Sequence, residues 1–213
     1  LVTEREEVKK LVAAGKQVEE IMEEVDAWPE GFPKPEGKKA KFFKAYSQIV
    51  YNELTDPFAI NLEKASDNVY WVNSKGATSS FVIGEKEILV IDAGKTDWAA
   101  EALIDEIKKI TPNPITKVVL THSDIDHVHG IEGFPKGIEI ISSPMCKKNL
   151  EARIEEKPEF KYLEEYLPTE TFTGKKDLDF SEEVQLLYWG GAHSGDDVVV
   201  FLPVQKIAII GDL

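Results

Sequence analysis

ITKVVLTHSDIDHVHG, residues 115–130, decides how the rest of the chain is read. Its first half, Ile115 to Leu120, is largely apolar, the pattern of a strand buried on both faces of a sheet. The run stops abruptly in a cluster of ionisable groups: His122, Asp124, Asp126, His127 and His129. The whole chain has four histidines; three fall within the eight residues from His122 to His129, and the fourth is His193. Histidines used as ordinary core or surface residues would be scattered. Imidazole nitrogens interleaved with carboxylates at the end of a buried strand form a metal-ligand set suited to zinc, iron or manganese. An irregular turn after the strand lets His122 and Asp124 point to one side while Asp126 and His127 turn towards a second position. One short loop can then feed two cations roughly 3.5–4 Å apart.

Working outward, residues from about 60 onward alternate between strand and helix patterns. Asn68–Asn73 and Ser79–Ile83 read as strands joined by the turn SKGAT, and EILVIDAG is a buried strand running into a polar loop at Asp92. DWAAEALIDEIKKI has helical spacing behind an Asp signal. GIEIISSP is a further strand, followed by a polar helical stretch to about residue 167. VQLLYWGG, DDVVVFLP and KIAIIGDL return to strands. Strand–helix alternation implies an α/β layered fold. Tyr70, Trp71 and Trp189 are assigned to the core, and Asp196 and Asp197 to a turn.

Residues 1–54 have a different texture. Val8, Leu11, Val12, Val18, Ile21, Met22 and Val25 approximate a helical stripe, with Gly15 between two helices and capping the first. AWPEGFPKPEGKK reads as a loop, and Phe42, Phe43, Tyr46, Ile49, Val50 and Leu54 resume helical spacing. The domain division is therefore a helical segment, 1–54, and a second domain, 55–213.

Composition narrows the function classes. The chain has 213 residues and a net charge of −14, so no basic surface stands ready for a nucleic-acid backbone. The single Cys146 excludes an intrachain disulfide and reads as a small packed residue rather than a nucleophile. No apolar run reaches membrane-spanning length and the N-terminus is charged, so the expected setting is cytoplasmic, with no membrane partner.

The H-x-D-x-D-H run at 122–127 resembles the metallo-β-lactamase superfamily signature H-x-H-x-D-H, with Asp124 in place of the second histidine. Three more segments resemble that family in the expected order: EILVIDAG, GGAHSGDDVVVFLP and the final KIAIIGDL. The resemblance covers roughly 60–213 and implies a metallo-β-lactamase-like αββα sandwich, its C-terminal half incomplete, preceded by the N-terminal helices. It implies a first metal position of His122, Asp124 and His193, and a second of Asp126 and His127, with Asp212 bridging. It places Asp92 behind the ligands as an orienting carboxylate, Asp126 as the catalytic group that orients water and takes its proton, and two divalent ions as cofactors. Zinc is the first expectation. The extra carboxylate of Asp124 hardens the site and keeps manganese and iron open.

His129 has no counterpart among the usual ligands and is read as a substrate-touching residue, with a packed histidine as the other reading. The last histidine that family members supply after the bridging aspartate has no match here. The N-terminal helices resemble the family's C-terminal helical tail, so a circular permutation stands beside an unrelated extension.

The activity the resemblance implies is metal-assisted hydrolysis of an ester, thioester, lactone, β-lactam or phosphoester in a small-molecule substrate. The alternatives are a non-haem iron redox protein and a catalytically impaired metal-binding scaffold. A homo-oligomer stays open.

Overall fold

The computed structural model describes residues 2–17, 20–21, 50–51, 55, 60–74 and 77–213. The chain divides into two compact units, Leu1–Ala59 and Ile60–Leu213. In the first, α1 (Val2–Ala13) ends where Gly15 takes φ 78° and the Lys16 N–H donates back to the Leu11 carbonyl at 3.1 Å. This is the left-handed cap that glycine supplies without a Cβ penalty. Val8, Ile21 and Val50 form a buried cluster against which Leu11, Val12 and Tyr51 pack. Val18, Met22, Val25, Phe42, Phe43, Tyr46, Ile49, Leu54 and the proline-rich loop lie outside the described residues.

The second unit holds two sheets. The larger runs in chain order through β1 (Ile60–Lys64), β2 (Val69–Ser74), β3 (Ala77–Ile83), β4 (Ile88–Ile91), β5 (Ile115–Val119), β6 (Glu139–Ser142) and β7 (Glu170–Thr171). Pairing is antiparallel from β1 to β4 and parallel from β4 to β7. The change of sense has a plain cause. Short links allow antiparallel neighbours, whereas parallel ones need a crossover. Helix α2 (Asp97–Ile110) bridges β4 to β5, and α4 (Pro144–Glu156) lies between β6 and β7; the one-turn α3 (Ile125–Val128) sits between β5 and β6. The smaller sheet is antiparallel, in the order β11 (Ile207–Ile209), β10 (Val199–Leu202), β9 (Gln185–Tyr188), β8 (Gly174–Asp177).

Side-chain alternation builds the layers. Val69, Val82, Leu89, Ile91, Val119 and Ile141 of the large sheet meet Val184, Leu186, Val198, Val200 and Leu202 of the small one in a shared core. The residues between them in register, among them Phe81, Val90, Val118 and Ile140, are also buried, on the opposite side of the sheet. Burial on both faces explains why the central strands read as unbroken apolar runs. Ala99, Ala100, Leu103 and Ile107 are the buried stripe of α2. Each fully buried Leu or Ile contributes about 1.5–3 kcal/mol.

Helix entry is set by side-chain caps: Thr96 accepts from Ala99 N–H at 3.2 Å, and Ser143 accepts from Cys146 N–H at 3.1 Å with Pro144 beside it. Cys146 is buried, and burial pushes its thiol well above the usual range, so it is inert packing. Among the described residues no helix is long and apolar enough to cross a membrane.

Candidate metal centre

The carboxyl ends of β4 and β5 deliver the first part of the site. Asp92 follows β4 with φ 62°, and Thr121 and His122 follow β5. The expected irregular turn after β5 is in fact a helical turn, α3, with Asp124 at its N-cap and a 3-10 turn beyond it. That turn swings Asp126 and His127 round together. Gly130 fixes its position: a Cβ there would lie 2.0 Å from the Ala93 carbonyl oxygen and 2.7 Å from that of Thr96. The β4–α2 loop therefore packs directly on the metal loop, joined by Ala93 N–H to His127 O at 2.8 Å and Gly130 N–H to Gly94 O at 3.0 Å.

Asp92 is the hub. It accepts from Thr121 N–H, from the Thr121 hydroxyl and from His127 Nδ1, each at 2.7 Å. Because the Thr121 hydroxyl gives its one hydrogen to Asp92, its contact with His122 Nδ1 at 2.9 Å must be donated by the imidazole. His122 is thus held as the Nδ1–H tautomer with its Nε2 lone pair turned inward, and His127 donates Nδ1–H to Asp92 and turns its Nε2 towards Asp212. Among the described residues, His122 Nε2 is buried and has no hydrogen-bond partner. A buried acceptor left bare costs about 1–3 kcal/mol, which a bound cation would offset.

The second sheet supplies the rest. His193 Nε2 lies 3.2 Å from Asp124 Oδ2 and 3.9 Å from Asp212 Oδ2. Asp212 Oδ1 is 3.2 Å from His127 Nε2, and Asp126 Oδ2 is 3.9 Å from the same atom. His122 Nε2 lies 3.6 Å from Asp124 Oδ2. One donor atom each from His122, His193 and Asp212 falls within a 4.8 Å span, tight enough to grip one ion. Gly211 makes the approach of Asp212 feasible: it takes φ 60°, and a Cβ would sit 2.7 Å from Thr121 Oγ1.

The His193 loop is pinned by Asp197, whose Oδ2 accepts backbone N–H groups of Ala192, His193, Ser194 and Gly195 at 3.0–3.2 Å. Burial opposes its charge, but these donors and the Ser194 hydroxyl outweigh it and lower its pKa to about 2. Asp196 is fully buried and accepts from Ser123 N–H and Asn149 Nδ2, tying the His193 loop to the metal loop.

Electrostatics suit a cation. Burial disfavours a charged His127, yet the Asp92 hydrogen bond and the charges of Asp92, Asp126 and Asp212 prevail and raise its pKa to about 9. The same carboxylates, Asp92, Asp126 and Asp212, favour a positive charge at this position. A cavity of about 250 Å³, lined by Tyr70, Trp71, Ser79, Asp92, Ile209 and Gly211 among others, lies behind the Asp92 side of the site.

The sequence pattern of the Metallo-beta-lactamase superfamily matches residues 74–213. The chain belongs to that superfamily. It is 26% identical to a metallo-beta-lactamase type 2 of Elizabethkingia meningoseptica over 162 residues, which is 71% of this chain and 61% of that protein. It thus spans about three fifths of this curated relative's length. The solved structure of DIM-1 metallo-beta-lactamase matches with a TM-score of 0.57 at 23% identity, covering 70% of this chain and 67% of that one. A TMB-1 structure gives 0.56 at 22%, over 70% and 68%. The α/β superfamily fold is as the motifs implied.

His122, Asp124, Asp126, His127, His193 and Asp212 come together, with Asp92 behind them. His129 does not join them. It is buried, with its ring 4.8 Å from Phe160 and 6.2 Å from Tyr162, and among the described residues its Nε2 has no partner. Burial first, then the charges of Arg153, Lys95 and Lys157, lowers its pKa to about 3. Tyr70 is buried and Trp71 half-buried, but Trp189, expected in the core, is 76% exposed: it follows β9 at the start of a Gly-Gly loop. Thr121 and Arg153 were not singled out in the sequence; the position of Thr121 directly before His122 was the only signal.

Proposed function

We propose that this chain is a metal-dependent hydrolase acting on an ester, thioester, lactone, β-lactam or phosphoester bond of a small molecule. The observation that carries the proposal is the pair of imidazoles: His122, held by Thr121, has a buried Nε2 without a hydrogen-bond partner among the described residues, and His127, held by Asp92, turns its Nε2 towards Asp212. His122, Asp124 and His193 would hold one ion, Asp126 and His127 a second, and Asp212 would lie between them. The donor set of imidazoles and carboxylates suits zinc first, with manganese or iron favoured by the extra oxygen of Asp124. Such ions supply Lewis acidity, making water acidic near neutral pH and polarising the scissile carbonyl or phosphoryl oxygen.

The chain's own groups do the remainder. Asp126 has a side chain about a third exposed, 37%, and faces His127, so it orients the attacking water and accepts its proton. Asp92 keeps the imidazoles from rotating during turnover. Asp197 keeps His193 opposite Asp124, which fixes the width of the site. The matched relatives carry the name metallo-beta-lactamase, which supports hydrolysis as the reaction class.

The test is metal content by mass spectrometry together with turnover of an ester, a thioester, a β-lactam and a phosphodiester. Bound zinc, manganese or iron with turnover abolished by Asp126→Asn is the expected result. Protein that holds metal stoichiometrically at these residues yet turns over none of the panel would overturn the hydrolase reading. A visible absorption band with bound iron would move the assignment to redox chemistry.

A further inference from the structure

We infer that Asn149 and Arg153 of helix α4 are positioning residues for the metal centre: they anchor Ser123 and so set the directions of His122 and Asp124 on either side of it. This rests on the ligand assignment above. Ser123 is buried, and each of its polar groups is held from outside its own loop. Its N–H donates to Asp196 Oδ2 at 3.1 Å, its hydroxyl oxygen accepts from Asn149 Nδ2 at 3.2 Å, and its carbonyl accepts from Arg153 Nη1 at 2.5 Å. The N–H belongs to the peptide group shared with His122, and the carbonyl to the one shared with Asp124. With an anchor on each plane, neither can turn without breaking a hydrogen bond.

Asn149 and Arg153 stand four residues apart on α4, so both side chains leave the same face of the helix. Asn149 Nδ2 also donates to Asp196 Oδ2 at 3.0 Å, so its amide serves Ser123 on one ligand loop and Asp196 on the other. Ser143, the N-cap of α4, adds a hydroxyl bond to the Asp196 carbonyl at 2.8 Å. One helix thus ties the His122–Asp124 loop to the His193 loop. Thr121 and Asp92 hold the imidazoles through their ring nitrogens; α4 holds the backbone between them and Asp124.

Asp124 has the greatest need of such support. It opens α3 without a side-chain capping bond, and its Oδ2 lies 3.2 Å from His193 Nε2 and 3.6 Å from His122 Nε2. Its aim therefore depends on the peptide group that precedes it, which Arg153 holds by a charge-assisted bond, the stronger kind. Lysine at 153 would keep a cationic donor but lose the planar fork.

The test strips the full chain with a chelator, reloads it with zinc or cobalt, and compares the wild type with Asn149→Ala, Arg153→Met, Arg153→Lys and Leu150→Val. Leu150 is buried on α4, so Leu150→Val loosens the helix without removing a contact to Ser123. Asn149→Ala and Arg153→Met are each expected to weaken zinc binding about tenfold, read by chelator competition, and to shift the visible bands of the cobalt form. Arg153→Lys is expected to recover most of the affinity. Leu150→Val should lower the melting temperature of stripped protein and leave affinity and spectrum as they are. Zinc affinity within about threefold of wild type and an unchanged cobalt spectrum in both truncations overturn the inference, as does an equal affinity loss in Leu150→Val. A truncation that does not fold is replaced by Ser123→Ala, which deletes only the hydroxyl that Asn149 meets; wild-type affinity and spectrum there overturn the inference too. If the wild type holds neither zinc nor cobalt, the metal-centre reading fails and the inference with it, whereas a metal-holding wild type beside unaffected variants sinks the inference alone.

Discussion

Replacing Asp92 by Asn changes one atom's chemistry and leaves shape nearly intact. The residue sits at φ 62°, a left-handed conformation that asparagine accepts readily, so no backbone strain is added. The native carboxylate receives three hydrogens at 2.7 Å, from Thr121 N, Thr121 Oγ1 and His127 Nδ1. The amide keeps one acceptor oxygen and presents an NH2 where the other stood. With the oxygen kept on Thr121 N, that NH2 faces the threonine hydroxyl and the imidazole, both donors. To avoid a clash of hydrogens, Thr121 must turn its proton towards His122 Nδ1, and His127 must shift its own proton to Nε2. Both rings then offer the metal loop an N–H instead of a lone pair.

Loss of one such supporting contact typically weakens metal affinity 10–100-fold. Two histidines are disturbed here, so a fall of roughly a hundredfold or more is expected in Asp92→Asn. The metal-stripped variant should also lose about 1.5–3 kcal/mol of stability from the missing charge-assisted bonds. Competition with a chromophoric chelator gives the first quantity, urea unfolding the second, and ring-nitrogen NMR the tautomers. Affinity within about threefold of wild type, with both rings still Nδ1–H, would refute the reasoning.

Other outcomes follow from the same geometry. His127 in chelator-stripped protein has its pKa raised to about 9, so below that pH an incoming ion must displace a proton; apparent metal affinity should climb with pH and level off near 9, read by titration in matched buffers. The sign for folding is the reverse: the charged His127 stabilises the stripped protein fully below its unfolded pKa, and that contribution fades as pH rises towards 9. Asp197, lowered to about 2, contributes stability above its unfolded pKa that is lost as pH falls through 2; Asp197→Asn should cost about 1–3 kcal/mol near neutrality, flatten the acid limb and weaken metal binding through His193, as urea melts and zinc titration will show. Gly130→Ala drives a methyl to within 2.0 Å of the Ala93 carbonyl, so about 3 kcal/mol or more should be lost and soluble yield should fall, measured by expression and thermal melt.

The metal loop was legible because ligand chemistry needs particular residue types, and four histidines in 213 residues leave few places to look. The central strands were legible because burial on both faces demands continuous Val, Ile and Leu. The weaker elements carry no such demand. β1, INLEK, has a mostly exposed pattern, β8 is GKKD on a sheet edge, and β7 is two residues long; none was anticipated. Thr121 escaped because a threonine ending a strand looks ordinary until its hydroxyl is seen between Asp92 and His122. Asp197 read as a turn residue and instead follows the bend at 192–195, and four backbone N–H groups on a single oxygen are a property of folded geometry that no residue type announces. Trp189 misled in the other direction, since a large apolar ring defaults to the interior unless the chain leaves it uncovered.

The donors come from both halves of the sandwich: His122 to His127 from the loop beyond β5, and His193 and Asp212 from the turns of the small sheet. An ion gripped by both would act as a rivet through the two layers, coupling its own departure to their separation. Amide exchange in β9 to β11 should therefore quicken when a chelator is added, and the protein's resistance to heat and proteolysis should track the free metal concentration around it.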